Sequence, residues 1–115
     1  MTIRIFHNPR CSKSRATLQI LNDRGVEPEI ILYLDAPPDA EELKSILAKL
    51  GLTPRELMRS GETEFKDNDL ADPELTDDEL ISAMVRIPRL IERPVVLANG
   101  KAAVGRPPES VLDIL

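Results

Sequence analysis

Cysteine is scarce in this chain of 115 residues, which contains Cys11 and no other cysteine. A single cysteine excludes an internal disulfide, and with it the secreted folds that disulfides hold together. We therefore expect a protein of the reducing cytoplasm. Any two-electron redox cycle at Cys11 also requires a second thiol from another molecule.

Aromatic residues and long apolar runs are scarce as well. Tryptophan is absent, and the aromatic residues are Phe6, Tyr33 and Phe65, which are too few for a base-stacking surface, so we expect no nucleic-acid partner. No apolar run approaches the roughly 20 residues of a membrane span, and the first residues lack the order of a signal peptide, so we expect no membrane association. The sequence predicts neither a metal site nor a bound cofactor.

Positive charge is concentrated in two segments of a chain whose formal charge is −5. Residues 1–15 carry four basic side chains and no acidic one, and residues 86–106 carry five basic side chains and one acidic one. The stretch 16–85 has 6 basic and 17 acidic residues. Because one basic segment contains the lone cysteine, the pattern indicates a small anion site, with solvated basic surfaces as the alternative.

The first third of the chain predicts a strand, a helix and a second strand. Residues 2–6 alternate between apolar and polar positions, residues 12–24 have helical spacing, and Gly25 ends the helix. Residues 29–33 form a nearly continuous apolar run, which predicts a strand buried on both faces. The order implies a right-handed crossover between two parallel strands.

The remainder predicts a helical segment followed by a hairpin. Helices are expected before Gly51, after the capping residue Thr53, and after the capping residue Thr76. Strands at 94–97 and 101–104 flank Asn99-Gly100, a strong hairpin signal, and a short last helix follows Pro107-Pro108. We predict one α/β domain, 1–115, with a thioredoxin-like three-layer fold. Its mixed four-stranded sheet carries an added helical segment at about 35–92.

Cys11 is the predicted centre of the chemistry, since it lies where the first strand has ended and the first helix begins. Free N–H groups and the helix dipole favour an anion at this end, and Arg10, Lys13 and Arg15 add positive charge. These effects favour the thiolate over the thiol and offer a cradle for an oxyanion. The alternative is a buried cysteine that serves as a small apolar residue.

Four neighbours of Cys11 each have two interpretations. His7 either holds the thiolate as an imidazolium or makes a structural hydrogen bond. Asn8 bonds either the loop backbone or the thiolate, and Ser14 either caps the helix or faces the sulfur or the bound anion. Arg15 is either an anion contact or a solvated helix charge. Spacing excludes a Cys-x-x-Cys dithiol site, because Ser14 stands at its last position, and a phosphatase loop, because Thr17 replaces its arginine.

The loop 7–15, His-Asn-Pro-x-Cys-x-x-Ser-Arg, resembles that of the glutaredoxin-dependent, ArsC-type arsenate reductases. The resemblance continues through the chain in the same order, at 31–34 with 37–38, 55–59, 76–80, 92–96 and 105–107 with 111–115. It implies a thioredoxin-like fold with an added helical part and the reduction of arsenate to arsenite.

The resemblance also implies roles for particular residues and partners. Cys11 is the nucleophile that attacks arsenate or a related oxyanion, and Arg59, Arg93 and Arg106 hold the oxygen atoms. Glutathione is the co-substrate and glutaredoxin the second reductant. Pro94 matches the cis-proline of thioredoxin-like folds, which would direct Arg93 toward Cys11.

Two other functions stay open at this point. One is a monothiol enzyme that acts on glutathione mixed disulfides. The other is an Spx-like transcription regulator that binds RNA polymerase, although here its Cys-x-x-Cys sensing pair is incomplete.

Overall fold

The structure, a computed structural model, describes residues 3–115 and divides into two compact units. The first, called the sheet unit here, contains the residues up to Ala36 together with Arg93–Leu115. The second, the helical unit, is Pro37–Glu92, against the 35–92 predicted for the added segment. No helix among residues 3–115 is both long and apolar enough to cross a membrane.

The sheet unit is built on four strands in the order β2-β1-β3-β4. Strand β1 is parallel to β2 and antiparallel to β3, and β3 is antiparallel to β4. This is the mixed four-stranded sheet of the predicted thioredoxin-like fold. Thr2, the first residue of the predicted strand, lies outside the described residues. The strands are β1 (Arg4–Phe6), β2 (Glu29–Ile31), β3 (Val95–Ala98) and β4 (Lys101–Val104).

One face of the sheet packs against two helices of the same unit. These are α1 (Ser12–Asp23) and a C-terminal 3-10 helix (Pro108–Ile114), which also contact each other. Ile5, Leu21, Val96 and Val111 have no exposed surface in this core. Each such side chain contributes about 1.5–3 kcal/mol by leaving water.

The hairpin signal is confirmed. Asn99 and Gly100 have φ values of 55° and 74°, the two left-handed positions that a tight two-residue turn requires. The Asn99 side-chain amide also donates to the main-chain oxygen of Ile114 over 2.8 Å. This bond fixes the C-terminal 3-10 helix to the hairpin.

The predicted burial of the second strand on both faces is wrong. Strand β2 has three residues and lies at an edge of the sheet, where it has a neighbour on one side. Ile30 is 48% exposed and Leu32, just after the strand, is 43% exposed. An apolar run alone does not reveal an edge position, because the order of strands is set by the tertiary fold.

The helical unit contains four α-helices: α2 (Ala40–Leu50), α3 (Pro54–Leu57), α4 (Thr63–Asp67) and α5 (Asp77–Arg86). The capping boxes predicted at Thr53 and Thr76 are both formed. Gly51 ends α2 with a left-handed φ of 69°. Helix α4 and a 3-10 turn at Pro88–Leu90 were not predicted, since both are too short to show helical periodicity.

Candidate active site

Cys11 is the N-cap residue of α1 and has an extended backbone, with φ −95° and ψ 123°. Its N–H donates to the main-chain oxygen of Asn8 over 3.0 Å, and its carbonyl accepts the N–H of Arg15 over 3.0 Å. The backbone is therefore held on both sides, while the side chain makes no capping bond. The residue is buried, with 8% of its surface exposed.

The first turn of α1 provides an electrophilic surface beside this sulfur. The N–H groups of Ser12, Lys13 and Ser14 have no acceptor within the helix, because they come before its first i−4 carbonyl. With 12 residues, the helix is long enough for its dipole to favour negative charge at this end. A thiolate or an oxyanion is the kind of group that this turn stabilises.

Arg106 supplies a full positive charge at the same place. Its Nη2 lies 3.5 Å from Cys11 Sγ, and its Nε donates to the main-chain oxygen of Arg93 over 2.8 Å. A guanidinium stays protonated at all physiological pH values and presents several donors in one plane. It can therefore stabilise the sulfur anion and also bind the oxygen atoms of a ligand on that sulfur.

Arg93 precedes Pro94 through a cis peptide bond, as the resemblance implied, and the Arg106–Pro107 bond is cis too. The Nε and Nη1 atoms of Arg93 are buried. Its main-chain oxygen fixes the Arg106 side chain. An oxyanion contact by the Arg93 side chain stays a prediction.

A polar network holds the loop that leads to Cys11. The fully buried Ser14 hydroxyl accepts the N–H of Asn8 over 3.0 Å and lies 2.6 Å from Nδ1 of His7. Of the two possible roles of Asn8, the backbone contact is formed, since its Oδ1 accepts the N–H of Arg10 over 3.0 Å. Ser14 thus joins the end of β1 to the first turn of α1.

The imidazolium interpretation of His7 is disfavoured. Burial lowers the pKa of His7 below its ordinary 6.5, and the positive charge of Arg15 lowers this pKa further. The neutral ring is therefore the form present at pH 7. His7 supports the loop through Ser14 rather than by a positive charge on the sulfur.

Arg15 bonds to the loop itself. Its Nη1 donates to the main-chain oxygen of Pro9 over 2.9 Å, across the turn that contains Cys11. The contact favours a role in holding the turn over the solvated charge that was the alternative. The residue is exposed and keeps its positive charge near the N-terminus of α1.

Arg59 belongs to the helical unit, where carboxylates surround it. Its Nη1 pairs with Glu62, and its Nε lies 3.5 Å from Glu92 Oε1. Glu62 also pairs with Arg89. Neither of these two partners of Arg59 was predicted from the sequence. The i,i+3 spacing of Arg59 and Glu62 was a usable signal, whereas Glu92 is far along the chain.

A cleft of about 350 Å³ adjoins the Cys11 loop within the sheet unit. It lies between the loop and the chain that follows β2, and is lined by His7, Asn8, Pro9, Arg10, Leu32, Leu34 and Asp35. Its size is within the range of small-molecule pockets. Across residues 3–115 no group of three or more His, Cys, Asp or Glu side chains is arranged to hold a metal ion.

The chain is similar to known proteins in sequence and in fold. The sequence pattern of the ArsC family matches residues 6–114. The chain is 55% identical over 114 residues to the uncharacterized protein YfgD of Escherichia coli (strain K12), with 98% of this chain and 96% of YfgD covered. It is 54% identical over 114 residues to an arsenate reductase of Neisseria meningitidis serogroup A, with 98% and 97% covered.

A solved structure gives the same result at the level of the fold. The arsenate reductase from Vibrio cholerae superposes with a TM-score of 0.97 at 50% identity, and the match covers 100% of this chain and 98% of that one. Pattern, sequence and structure agree over nearly every residue. This chain belongs to the ArsC family.

Proposed function

We propose that this protein is a cytoplasmic arsenate reductase in which Cys11 is the nucleophile and the electrons come from glutathione and glutaredoxin. The observation that carries the proposal is the placement of Cys11 Sγ at the N-terminus of α1, 3.5 Å from Arg106 Nη2. One site thus offers a nucleophile and a receptor for an oxyanion. The name of the Neisseria relative supports the choice of arsenate.

The reaction begins when the Cys11 thiolate attacks As(V) and one arsenate oxygen leaves as water. Glutathione then displaces a second oxygen, which also leaves as water, so that one arsenic atom carries both sulfur atoms. A glutaredoxin thiolate attacks the glutathione sulfur and breaks its bond to arsenic. The electron pair of that bond stays on arsenic, which becomes As(III). Water finally releases arsenite and regenerates Cys11. In total, arsenate, glutathione and the glutaredoxin thiol give arsenite, a glutaredoxin–glutathione disulfide and one water.

The arginines bind the oxygen atoms during these steps. The 3.5 Å between Arg106 Nη2 and Cys11 Sγ supports a role for Arg106 as a ligand of an oxyanion on Cys11. Planar guanidinium groups bind tetrahedral oxyanions through paired hydrogen bonds and keep their charge as the adduct changes. We assign Arg93 and Arg59 to the same task as further oxyanion ligands.

The external thiol follows from the composition of the chain. Cys11 is the only cysteine, so no internal thiol can reduce the adduct. The cleft beside the loop has room for a small thiol and combines apolar Leu32 and Leu34 with charged Arg10 and Asp35. Glutathione, with an ammonium group and two carboxylates, matches this mixture of charges.

The test is arsenate-dependent oxidation of NADPH, coupled through glutathione reductase, with glutathione and glutaredoxin omitted in turn. We expect turnover with both present and loss of at least about 90% of it when either is omitted, because each supplies a different thiol. Turnover that is unchanged without glutaredoxin would refute the proposed electron route. Absence of arsenate turnover with every component present would refute the substrate.

A second candidate, removal of glutathione from mixed disulfides, is favoured by the same lone thiol and the same cleft. The coupled assay decides between them when a glutathionylated peptide replaces arsenate. A kcat/KM for the peptide above that for arsenate would select the second candidate.

A further inference from the structure

Gly105 lies between the end of β4 and Arg106, in a very close approach to α1. A Cβ atom placed on Gly105 would lie 2.3 Å from Thr17 Oγ1 and 2.8 Å from Pro94 Cγ. Non-bonded carbon and oxygen atoms do not approach a Cβ so closely, so any side chain at this position forces a shift. Glycine is therefore required at position 105 because there is no room for a Cβ atom, and not because of an unusual φ.

Thr17 cannot move aside to make the room. It is fully buried, and its β-branched side chain is stiff about χ1. Its Oγ1 also donates to the main-chain oxygen of Lys13 over 2.8 Å, which holds the hydroxyl on α1. A shift caused by a side chain at Gly105 would therefore fall on the backbone at the end of β4.

That backbone carries Arg106. The N–H of Gly105 donates to the main-chain oxygen of Pro94 over 2.9 Å, and the N–H of Arg106 donates to that of Val104 over 2.9 Å. The second bond closes a tight three-residue turn centred on Gly105. Movement of Gly105 thus moves the start of the Arg106 side chain.

We propose that Gly105 and Thr17 are positioning residues, whose contact sets the distance between the Arg106 guanidinium and the Cys11 sulfur. Thr17 lies on the helix that begins after Cys11, and Gly105 immediately precedes Arg106. The contact therefore joins the two elements that carry the reacting groups. The inference rests on the proposed function only in treating Cys11 and Arg106 as one site.

Alkylation of Cys11 by iodoacetate and by iodoacetamide tests this contact without arsenate. The measured quantity is the rate of alkylation by iodoacetate divided by the rate of alkylation by iodoacetamide. Both reagents attack the thiolate, so at one pH this ratio is independent of the thiolate fraction. The ratio reports positive charge beside the sulfur, because iodoacetate is an anion and iodoacetamide is neutral. Cys11 is the only thiol, so every alkylation event occurs at this site.

Arg106→Ala calibrates the measurement, and we expect it to lower the ratio about three- to fivefold. Gly105→Ala should lower the ratio to the Arg106→Ala value. The double variant Thr17→Ala/Gly105→Ala should recover at least half of that loss, since Pro94 Cγ alone then remains too close. Thr17→Ala alone removes one side of the contact without forcing a shift, so it should lower the ratio by no more than the double variant does.

Gly61→Ala is the matched control. Gly61 has no atom within 4 Å of an added Cβ and no positive φ, so the same substitution should leave the ratio unchanged.

An unchanged ratio in Gly105→Ala would overturn the proposal, as would a double variant whose ratio is no higher than that of Gly105→Ala. If Gly105→Ala does not fold by circular dichroism, the folded double variant decides, and a ratio as low as that of Arg106→Ala overturns the proposal. Failure of arsenate turnover in the wild type would refute the proposed function and leave this test intact.

Discussion

Arg106 of the sheet unit and Arg59 of the helical unit differ in the partners that the structure describes for them. In the sheet unit, Arg106 contacts the Cys11 sulfur and an uncharged main-chain oxygen. In the helical unit, Arg59 and Arg89 are paired with carboxylates, and Glu62 bonds to both. The charges differ in the same sense: the sheet unit has 8 basic and 6 acidic residues, and the helical unit has 7 and 14.

A binding charge contacts the oxyanion, whereas a structural charge only pairs with carboxylates of the protein. Arg106 is the candidate for the first kind, and the role of Arg59 is tested below. A carboxylate within 4 Å neutralises most of the field of a guanidinium, whereas a hydrogen bond to a main-chain carbonyl fixes the direction of the side chain. Net charge therefore does not identify the anion site of this acidic protein. The contact of Arg106 with the Cys11 sulfur marks the candidate site, and the predictions below compare Arg106 with the arginines of the helical unit.

The largest effect is expected at Cys11. Cys11→Ser should lower arsenate turnover by at least about a thousandfold, because a hydroxyl is a far weaker nucleophile at neutral pH. Thermal unfolding should change little, since Sγ makes no capping bond. Turnover within tenfold of the wild type, measured in the coupled assay, would contradict the role of Cys11.

Removal of Arg106 should have the next largest effect. Arg106→Ala should lower kcat/KM for arsenate about a hundredfold, because the loss of one preorganised donor at a reacting anion has an effect of this size in other enzymes. Arg86→Ala, at the end of α5 in the helical unit, is the control and should cost less than about twofold. Equal losses would show a diffuse effect of charge.

Ser14→Ala tests the network that holds the loop. The change leaves the Asn8 N–H and His7 without their shared hydroxyl, and Ser14 is fully buried. We expect the free energy of unfolding to fall by about 1–3 kcal/mol in urea titrations. Ser12→Ala, at an exposed position of the same turn, should leave it nearly unchanged. A Ser14→Ala protein with the same free energy of unfolding as the wild type would contradict a stabilising role of this network.

Glu92→Gln probes an arginine of the helical unit. The substitution removes a negative charge 3.5 Å from Arg59 Nε while keeping the shape of the side chain. If Arg59 binds the oxyanion, its field grows, and KM for arsenate should fall about two- to fourfold. An unchanged KM would place Arg59 among the structural charges, together with Arg89.

The smallest effect is a pH dependence of stability at His7. Its pKa is lowered on folding, first by burial and then by Arg15, so the unfolded chain binds more protons than the folded one between the lowered value and 6.5. Stability is therefore complete above about pH 6.5 and falls as the pH drops through this window. Urea unfolding between about pH 7.5 and about pH 5.5 should show a smaller fall in His7→Gln than in the wild type. Parallel pH profiles would contradict the shift.

Local signals in the sequence predicted much of the fold. The Asn99-Gly100 turn and the capping boxes at Thr53 and Thr76 depend on neighbouring residues, so their chemistry can be read directly from the chain. The same holds for Cys11 at the start of α1, which follows from the end of one strand and the beginning of a helix.

Features that depend on distant contacts could not be predicted in this way. The exposure of Ile30 depends on the order of strands, and the neutral state of His7 depends on burial by the folded chain. The approach of Gly105 to Thr17 joins residues far apart in sequence. For such features the residue type limits which interactions a side chain can make, and the fold determines which of them are formed.

Protection of Cys11 by arsenate is the most direct test that the lone sulfur and its arginines form one oxyanion site. The rate of alkylation by iodoacetamide is measured with and without arsenate, in the absence of every reductant, for the wild type and for Arg106→Ala. We predict that arsenate slows alkylation of the wild type at least about fivefold in a saturable manner, and that the variant loses this protection. Alkylation at an undiminished rate in saturating arsenate would contradict the account.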